Sequence, residues 1–169
     1  MVAALSATLL MGVKLPKPTP ETRTGGRPLR VIARQPEFLT ALTCGVVAYL
    51  LMNFLMTAAP LAMQLCGLSQ EAANLGVQWH VIAMYAPSFF TGRLIVQFGA
   101  KKIVMAGLGL TAFSIAVGLL GVDVGHFWLT LILLGVGWNF GFVGASTLVL
   151  ECHHPDEKAK VQSFNDFVL

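Results

Sequence analysis

The side chains that could bind metal or attack a substrate are few, and their spacing argues against both. Cys152, His153, His154 and Asp156 fall together in the stretch ECHHPDEKAKVQ. Zinc-binding histidines on a helix sit four residues apart, so that one face presents both to the ion. Adjacent histidines cannot do this, and no metal site is expected. Cys44, Cys66 and Cys152 lie far apart with no CxxC spacing and read as unpaired thiols. There is no HExxH, no pair of carboxylates, no nucleophile with a base and no phosphate loop. The sequence therefore points to no enzyme and no cofactor. What remains is a set of amides, aromatics and one imidazole inside long apolar runs: Tyr49, Asn53, His80, Tyr85, Trp138 and Asn139. Groups of this kind recognise and orient a small molecule rather than transform it. An amide-rich, aromatic surface suits a neutral planar solute better than a charged sugar phosphate.

The elements that must position these groups follow from composition. The chain has 169 residues, of which 56% are hydrophobic and 11% charged, with a mean hydropathy of +0.73. Soluble domains carry about 25% charged residues, and a chain this short cannot hide so much apolar surface from water. Lipid as solvent removes the difficulty, provided that every backbone group is satisfied within helices or a closed barrel. The apolar runs are continuous rather than alternating, so the fold class is an all-α membrane protein.

Four complete spans are predicted, at about 37–65, 74–98, 103–122 and 126–150, and a fifth begins at 161–169. Residues 1–13 are too short to cross a bilayer, which takes about 20 residues, and read as the tail of a transmembrane helix. Residues 14–36 form a basic linker rich in proline. Its part from Pro28 to Pro36 has a helical rhythm suited to the headgroup surface.

In the first span Val46, Tyr49, Asn53, Thr57, Pro60 and Gln64 share a face, and Pro60 should bend the outer third. This stripe either lines a cavity or holds helices together. In the second span Gln78, Ile82, Tyr85, Phe89 and Gly92 share a face. Trp79 reads as an interfacial anchor, and His80 as a hydrogen-bonded structural group or a proton-coupling site. The third span, with Gly107, Gly109, Gly118 and Gly121, reads as scaffold. The fourth carries one stripe of Gly135, Asn139, Phe142 and Ser146 and another of Gly137, Gly141 and Gly144. Trp138 beside Asn139 suits either stacking on a planar solute or packing in the core.

Charge sets the expected orientation. Lysine and arginine occur only in the linker, in the loop from Arg93 to Lys102, and at Lys158 and Lys160. The loops 67–73 and 122–125 have none. The alternation places the linker and the loops 92–102 and 151–160 in the cytoplasm. No nucleic-acid partner is expected.

The loop Gly92 to Lys102, reading GRLIVQFGAKK, resembles the loop signature of the major facilitator superfamily (G-x-L-x-D-R-x-G-R-K/R). Gly92, Leu94, Gly99, Lys101 and Lys102 match, whereas Val96 and Gln97 stand where that family has Asp and Arg. The stretch Pro155 to Gln162 resembles the loop before the family's eleventh helix, with Lys158 near the usual Arg. The resemblance implies a twelve-helix permease for a small solute, working by alternating access in a bacterial inner membrane. This chain would then be a partial six-helix bundle: the tail of helix six, helices seven to ten and the start of eleven. The N-terminal half and helix twelve would be missing. Helices seven and ten would line the cavity, so Tyr49, Asn53, Trp138 and Asn139 on them, with Tyr85 on helix eight, become the candidate solute ligands. Gly92, Arg93, Gly99, Lys101 and Lys102 become the gate loop. His80 or the missing half would carry any proton coupling. Some bacterial members that look similar carry vitamins such as riboflavin. The alternative is a non-transporting membrane scaffold resting on the glycine faces of the third and fourth spans.

Overall fold

The computed structural model describes residues 26–168. The expectations for residues 1–13 and for the linker as far as residue 25 lie outside them. Helix α1 (Leu29–Ile32) is a single turn before the long helix α2 (Pro36–Leu65). Proline is favoured at the start of α2, where its missing N–H would have no helical partner, and Glu37 complements the dipole there. The helix runs through Pro60 as one element. It stops at Gly67, whose φ of +78° suits glycine. Gly67 N–H donates to the Gln64 carbonyl and Leu68 N–H to that of Met63, which satisfies the last orphan acceptors.

Helix α3 (Gln70–Tyr85) begins at Ser69, whose hydroxyl accepts from the Ala72 N–H at 3.1 Å. The sequence reading runs one span through to residue 98. The structure breaks it into α3 and α4 (Ser88–Phe98), bent by 42°. Pro87 is the cause: it has no amide proton, and its ring crowds the preceding turn. The next reversal is tighter than the expected loop 92–102. Gly92 lies inside α4, and Gly99, with φ +86°, is the single residue between α4 and α5 (Ala100–Leu120). Lys101 and Lys102 form the first turn of α5. Helix α6 (Val124–Glu151) follows, then a 3-10 turn (Pro155–Glu157) and α7 (Lys158–Val168). No strand occurs among the described residues. Helices α2, α5 and α6 are each long and apolar enough to cross a membrane, and the bent pair α3–α4 counts as a fourth candidate when taken as one broken span. The protein is a multi-pass, all-α membrane protein.

Helix α6 is the axis of the bundle, with α5, α2 and α3 packed around it. Small residues let α5 approach most closely. A Cβ on Gly107 would collide with the Gly141 amide nitrogen and lie 2.7 Å from the Gly137 carbonyl oxygen. The predicted Gly137, Gly141 and Gly144 stripe is therefore used inside the bundle, against α5. On α5 the buried residues Ile103, Val104, Gly107, Thr111, Ser114 and Val117 follow a helical period. Met105, Phe113 and Leu119 on other faces are exposed, as lipid contact requires.

The end that carries Gly99 and Lys158, called the basic end below, has its own apolar cluster. Ile32, Phe38, Ala41, Val149 and Val161 are buried together there, and Phe38 stacks on Phe164 at 6.2 Å.

Candidate functional site

Asn139 is the most engaged polar side chain within the apolar helices of the described residues, and only 1% of it is exposed. Its amide nitrogen donates to the Met84 carbonyl at 2.9 Å and to the Ser88 hydroxyl at 2.7 Å. Its oxygen accepts from the Thr91 hydroxyl at 2.6 Å. Met84 belongs to α3, whereas Ser88 and Thr91 belong to α4. One side chain of α6 thus spans the break at Pro87. The sequence reading turned Asn139 toward a solute beside Trp138. In the structure its donors and acceptor are all used within the protein. Ser88 and Thr91 went unnoticed as partners, although Pro-Ser-x-x-Thr after an apolar run signals a break that needs polar repair.

Trp138 points elsewhere, because consecutive residues on a helix diverge by about 100°. It is half-buried and stacks on Phe142, with ring centroids 4.8 Å apart and planes 11° from parallel. Its indole N–H is buried and has no partner among the described residues. A buried indole donor costs free energy when unpaired, so this N–H is open to any acceptor brought beside it.

The stripe of α2 stays on the outside of the bundle. Tyr49 is 37% exposed, and Asn53 and Thr57 are exposed as well. Their hydrogen bonds are local: Asn53 Nδ2 donates to the Tyr49 carbonyl at 3.1 Å, and the Thr57 hydroxyl to the Asn53 carbonyl at 2.8 Å. At the far end Gln64 pairs with Gln70 across the turn into α3. Tyr85 is 59% exposed. The face of α3 packed on α6 is instead Ala73, Gly76, His80, Ala83 and Met84.

His80 is fully buried at that interface, with Nδ1 2.8 Å from the Leu131 carbonyl oxygen. A carbonyl only accepts, so Nδ1 carries the proton. Its Nε2 is buried and unpartnered.

The residues of the expected gate loop do not converge. Gly92 and Arg93 are exposed on α4, and Lys101 and Lys102 are exposed on α5. The basic end is instead tied together by a pair that the sequence did not reveal. Arg27 grips Glu157 through two bonds, Nε to Oε1 at 3.0 Å and Nη2 to Oε2 at 2.8 Å. The Glu157 carboxylate also accepts from the backbone N–H groups of Arg27 and His154, and Lys160 Nζ donates to the Arg27 carbonyl. The guanidinium beside it, with these N–H donors, holds the Glu157 carboxyl well below the usual carboxylate range.

A cleft of about 780 Å³ opens beside this cluster, lined by Gln35, Glu37, Lys101, Glu151 and His153 among others. None of the candidate solute ligands lines it. Cys152, also on its wall, has its thiol pushed up by burial and by the nearby carboxylates of Glu37 and Glu151.

The sequence profile described as "Major Facilitator Superfamily" matches residues 1–169. A protein of Brucella anthropi named riboflavin transporter RfnT is 56% identical over 144 residues, covering 85% of this chain and 36% of that protein. Two uncharacterized MFS-type transporters of Bacillus subtilis are more distant. YddS is 35% identical over 73% of this chain and 29% of its own length. YdeG is 32% identical over 75% of this chain and 30% of its own length. The chain thus spans about a third of the length of the curated relatives it matches. No solved structure matches it. The profile covers every residue, and the helices of the described part form an α6-centred membrane bundle: the chain belongs to the major facilitator superfamily.

Proposed function

We propose that this bundle is one half of a carrier that moves a flavin-like solute across the membrane by alternating access, together with a second, six-helix half. The observation that carries the reading is the 56% identity to a protein named a riboflavin transporter, sustained over 85% of this chain. The chemistry of the bundle agrees with a planar, polar-edged solute. The Trp138–Phe142 stack offers an aromatic face, and the unpartnered Trp138 N–H offers a donor beside it. Tyr49 and Asn53 present a phenol and an amide from the adjoining helix α2. In this reading Tyr85, exposed on α3, meets the solute only where the other half of the carrier packs against that face. Asn139 holds helices rather than solute, and His80 couples protons only if the bundle opens around it. The basic end, with the turn at Gly99, faces the cytoplasm. Membership of the scaffold class has less to stand on, because Gly107, Gly118, Gly137 and Gly144, most of the glycines it would use, are spent between α5 and α6.

The test is uptake of radiolabelled riboflavin into proteoliposomes holding the carrier assembled around this bundle. Saturable uptake, competed by unlabelled flavin, is the expected result. Absence of uptake with the protein inserted would reject a flavin as the solute. Trp138→Ala should raise KM about three- to tenfold, the equivalent of roughly 0.5–1.5 kcal/mol of aromatic stacking.

A further inference from the structure

We infer that Asn139 is a positioning residue, the pin of a hinge at Ala86–Pro87 about which α4 swings while α3 stays fixed on α6. The inference deepens the transport reading, since it names the part of the bundle that moves.

The two arms of the broken span are held very differently. Helix α3 is locked to α6 along its length. A Cβ on Gly135 would lie 2.6 Å from the His80 carbonyl oxygen, so the two backbones nearly touch. His80 bonds the Leu131 carbonyl, and the Trp128 indole donates to the Ala72 carbonyl at 2.9 Å. Helix α4, by contrast, buries only Thr91 among the described residues. Phe89 is 92% exposed and Val96 89%. Against α6 it adds to the Asn139 bonds an edge contact of Phe90 with Phe140, and its far end passes into α5, on which it also packs, through Gly99 alone.

Between the arms stands Pro87, which donates no helical hydrogen bond. Asn139 bridges the gap by holding Met84 on the fixed arm and Ser88 and Thr91 on the free one. The Thr91 hydroxyl has one proton and two acceptors in reach, Asn139 Oδ1 at 2.6 Å and the Pro87 carbonyl at 2.8 Å. When α4 swings away, that proton falls back on Pro87 within its own helix. Asn139 keeps Met84. Release therefore leaves few polar groups stranded, as a reversible hinge requires.

The experiment places spin labels on a cysteine-free background in nanodiscs. One pair reports on the free arm (Val96 with Leu150) and the other on the fixed arm (Gln78 with Leu129). Asn139→Ala should broaden the first distance by roughly 4 Å, the travel of an arm about 16 Å long tilted by about 15°. The second distance should not change. Thr91→Val should act in the same direction and decides the matter if Asn139→Ala does not fold. In the assembled carrier, Asn139→Ala should lower kcat about tenfold and leave KM within about twofold. A raised KM with unchanged kcat would mean that Asn139 touches solute, and the pin would be lost. Equal broadening of both distances would mean general loosening, and no broadening would mean no pin; either overturns the inference. If the native carrier takes up no flavin, the transport reading falls by itself, and the distances alone decide the hinge.

Discussion

Two neighbouring glycines of α5 show how narrowly position sets cost. Gly107 faces the α6 backbone, and a Cβ there has no room, whereas Gly109, half a turn on, faces open space. Gly107→Ala should destabilise the bundle by about 1–3 kcal/mol, the range for overpacking a tight contact. Gly109→Ala should be neutral or stabilising by up to about 1 kcal/mol, because alanine orders a helix better than glycine. Thermal unfolding in detergent compares them, and equal shifts would show that α5 does not pack as described. Glu157 makes a different kind of residue-scale claim. A carboxylate whose pKa is depressed on folding stabilises above its unfolded value, about 4.3, and that stability is lost as pH falls through the folded value. The melting gap between the native protein and Glu157→Gln should therefore stay constant from about pH 7 to pH 5 and narrow only in stronger acid. A gap that closes near neutrality would place the partner elsewhere. Neither member of this pair was legible in the sequence. Arg27 and Glu157 are 130 residues apart, and each looked like one more charge in a solvated loop.

At the scale of elements, helices were legible because lipid demands long apolar runs, and their ends were marked by proline, glycine and charge. The reading placed a span at 37–65 and the helix runs Pro36–Leu65; it placed another at 126–150 and the helix runs Val124–Glu151. The internal architecture was less legible. Pro60 and Pro87 are the same residue type in similar apolar settings, yet α2 continues through one and the second span breaks at the other. Tertiary partners decide this, and Asn139 waits at only one of the two sites. The loop expected at 92–102 takes in both Gly92 and Gly99, but of the two only Gly99 has a positive φ. Substitution separates them. Gly99→Leu should impair uptake by the carrier without preventing insertion, since any side chain at φ +86° and ψ 147°, a region essentially reserved for glycine, is strained by about 1–3 kcal/mol. Gly92→Leu, in open space on α4, should leave uptake near the native level. If Gly99→Leu transports normally, the turn is only a connector.

For the whole molecule, the proposed orientation has a consequence for the native thiols. Cys66 is exposed at the end of α2 opposite to the basic end. Cys152 is half-buried at the basic end, its thiol donates to the Leu148 carbonyl, and its pKa is raised by burial, which leaves less reactive thiolate. A membrane-impermeant maleimide added to intact cells should label Cys66 and spare Cys152, and permeabilisation should add Cys152 slowly. Labelling of Cys152 in intact cells would invert the topology. The site as a whole was only partly readable from sequence. Periodicity put Tyr49 and Asn53 on one face, and they are indeed on one exposed face. It could not tell which of two adjacent residues, Trp138 or Asn139, looks inward to a neighbouring helix, because that depends on how α3 and α4 pass α6.

The clasp of Arg27 on Glu157 also orders events during synthesis. The arginine leaves the ribosome 130 residues before its partner, a wait of roughly 7–26 s at about 5–20 residues per second. During that interval its charge has no carboxylate to grip. In the proposed orientation it acts then as a topogenic signal, one of the cations that keep the start of α2 from being translocated. Only after α6 has entered the bilayer does Glu157 arrive and withdraw the same guanidinium into the fold. In that orientation one residue first contributes to the signal that sets which way the helices go. It then seals the finished arrangement.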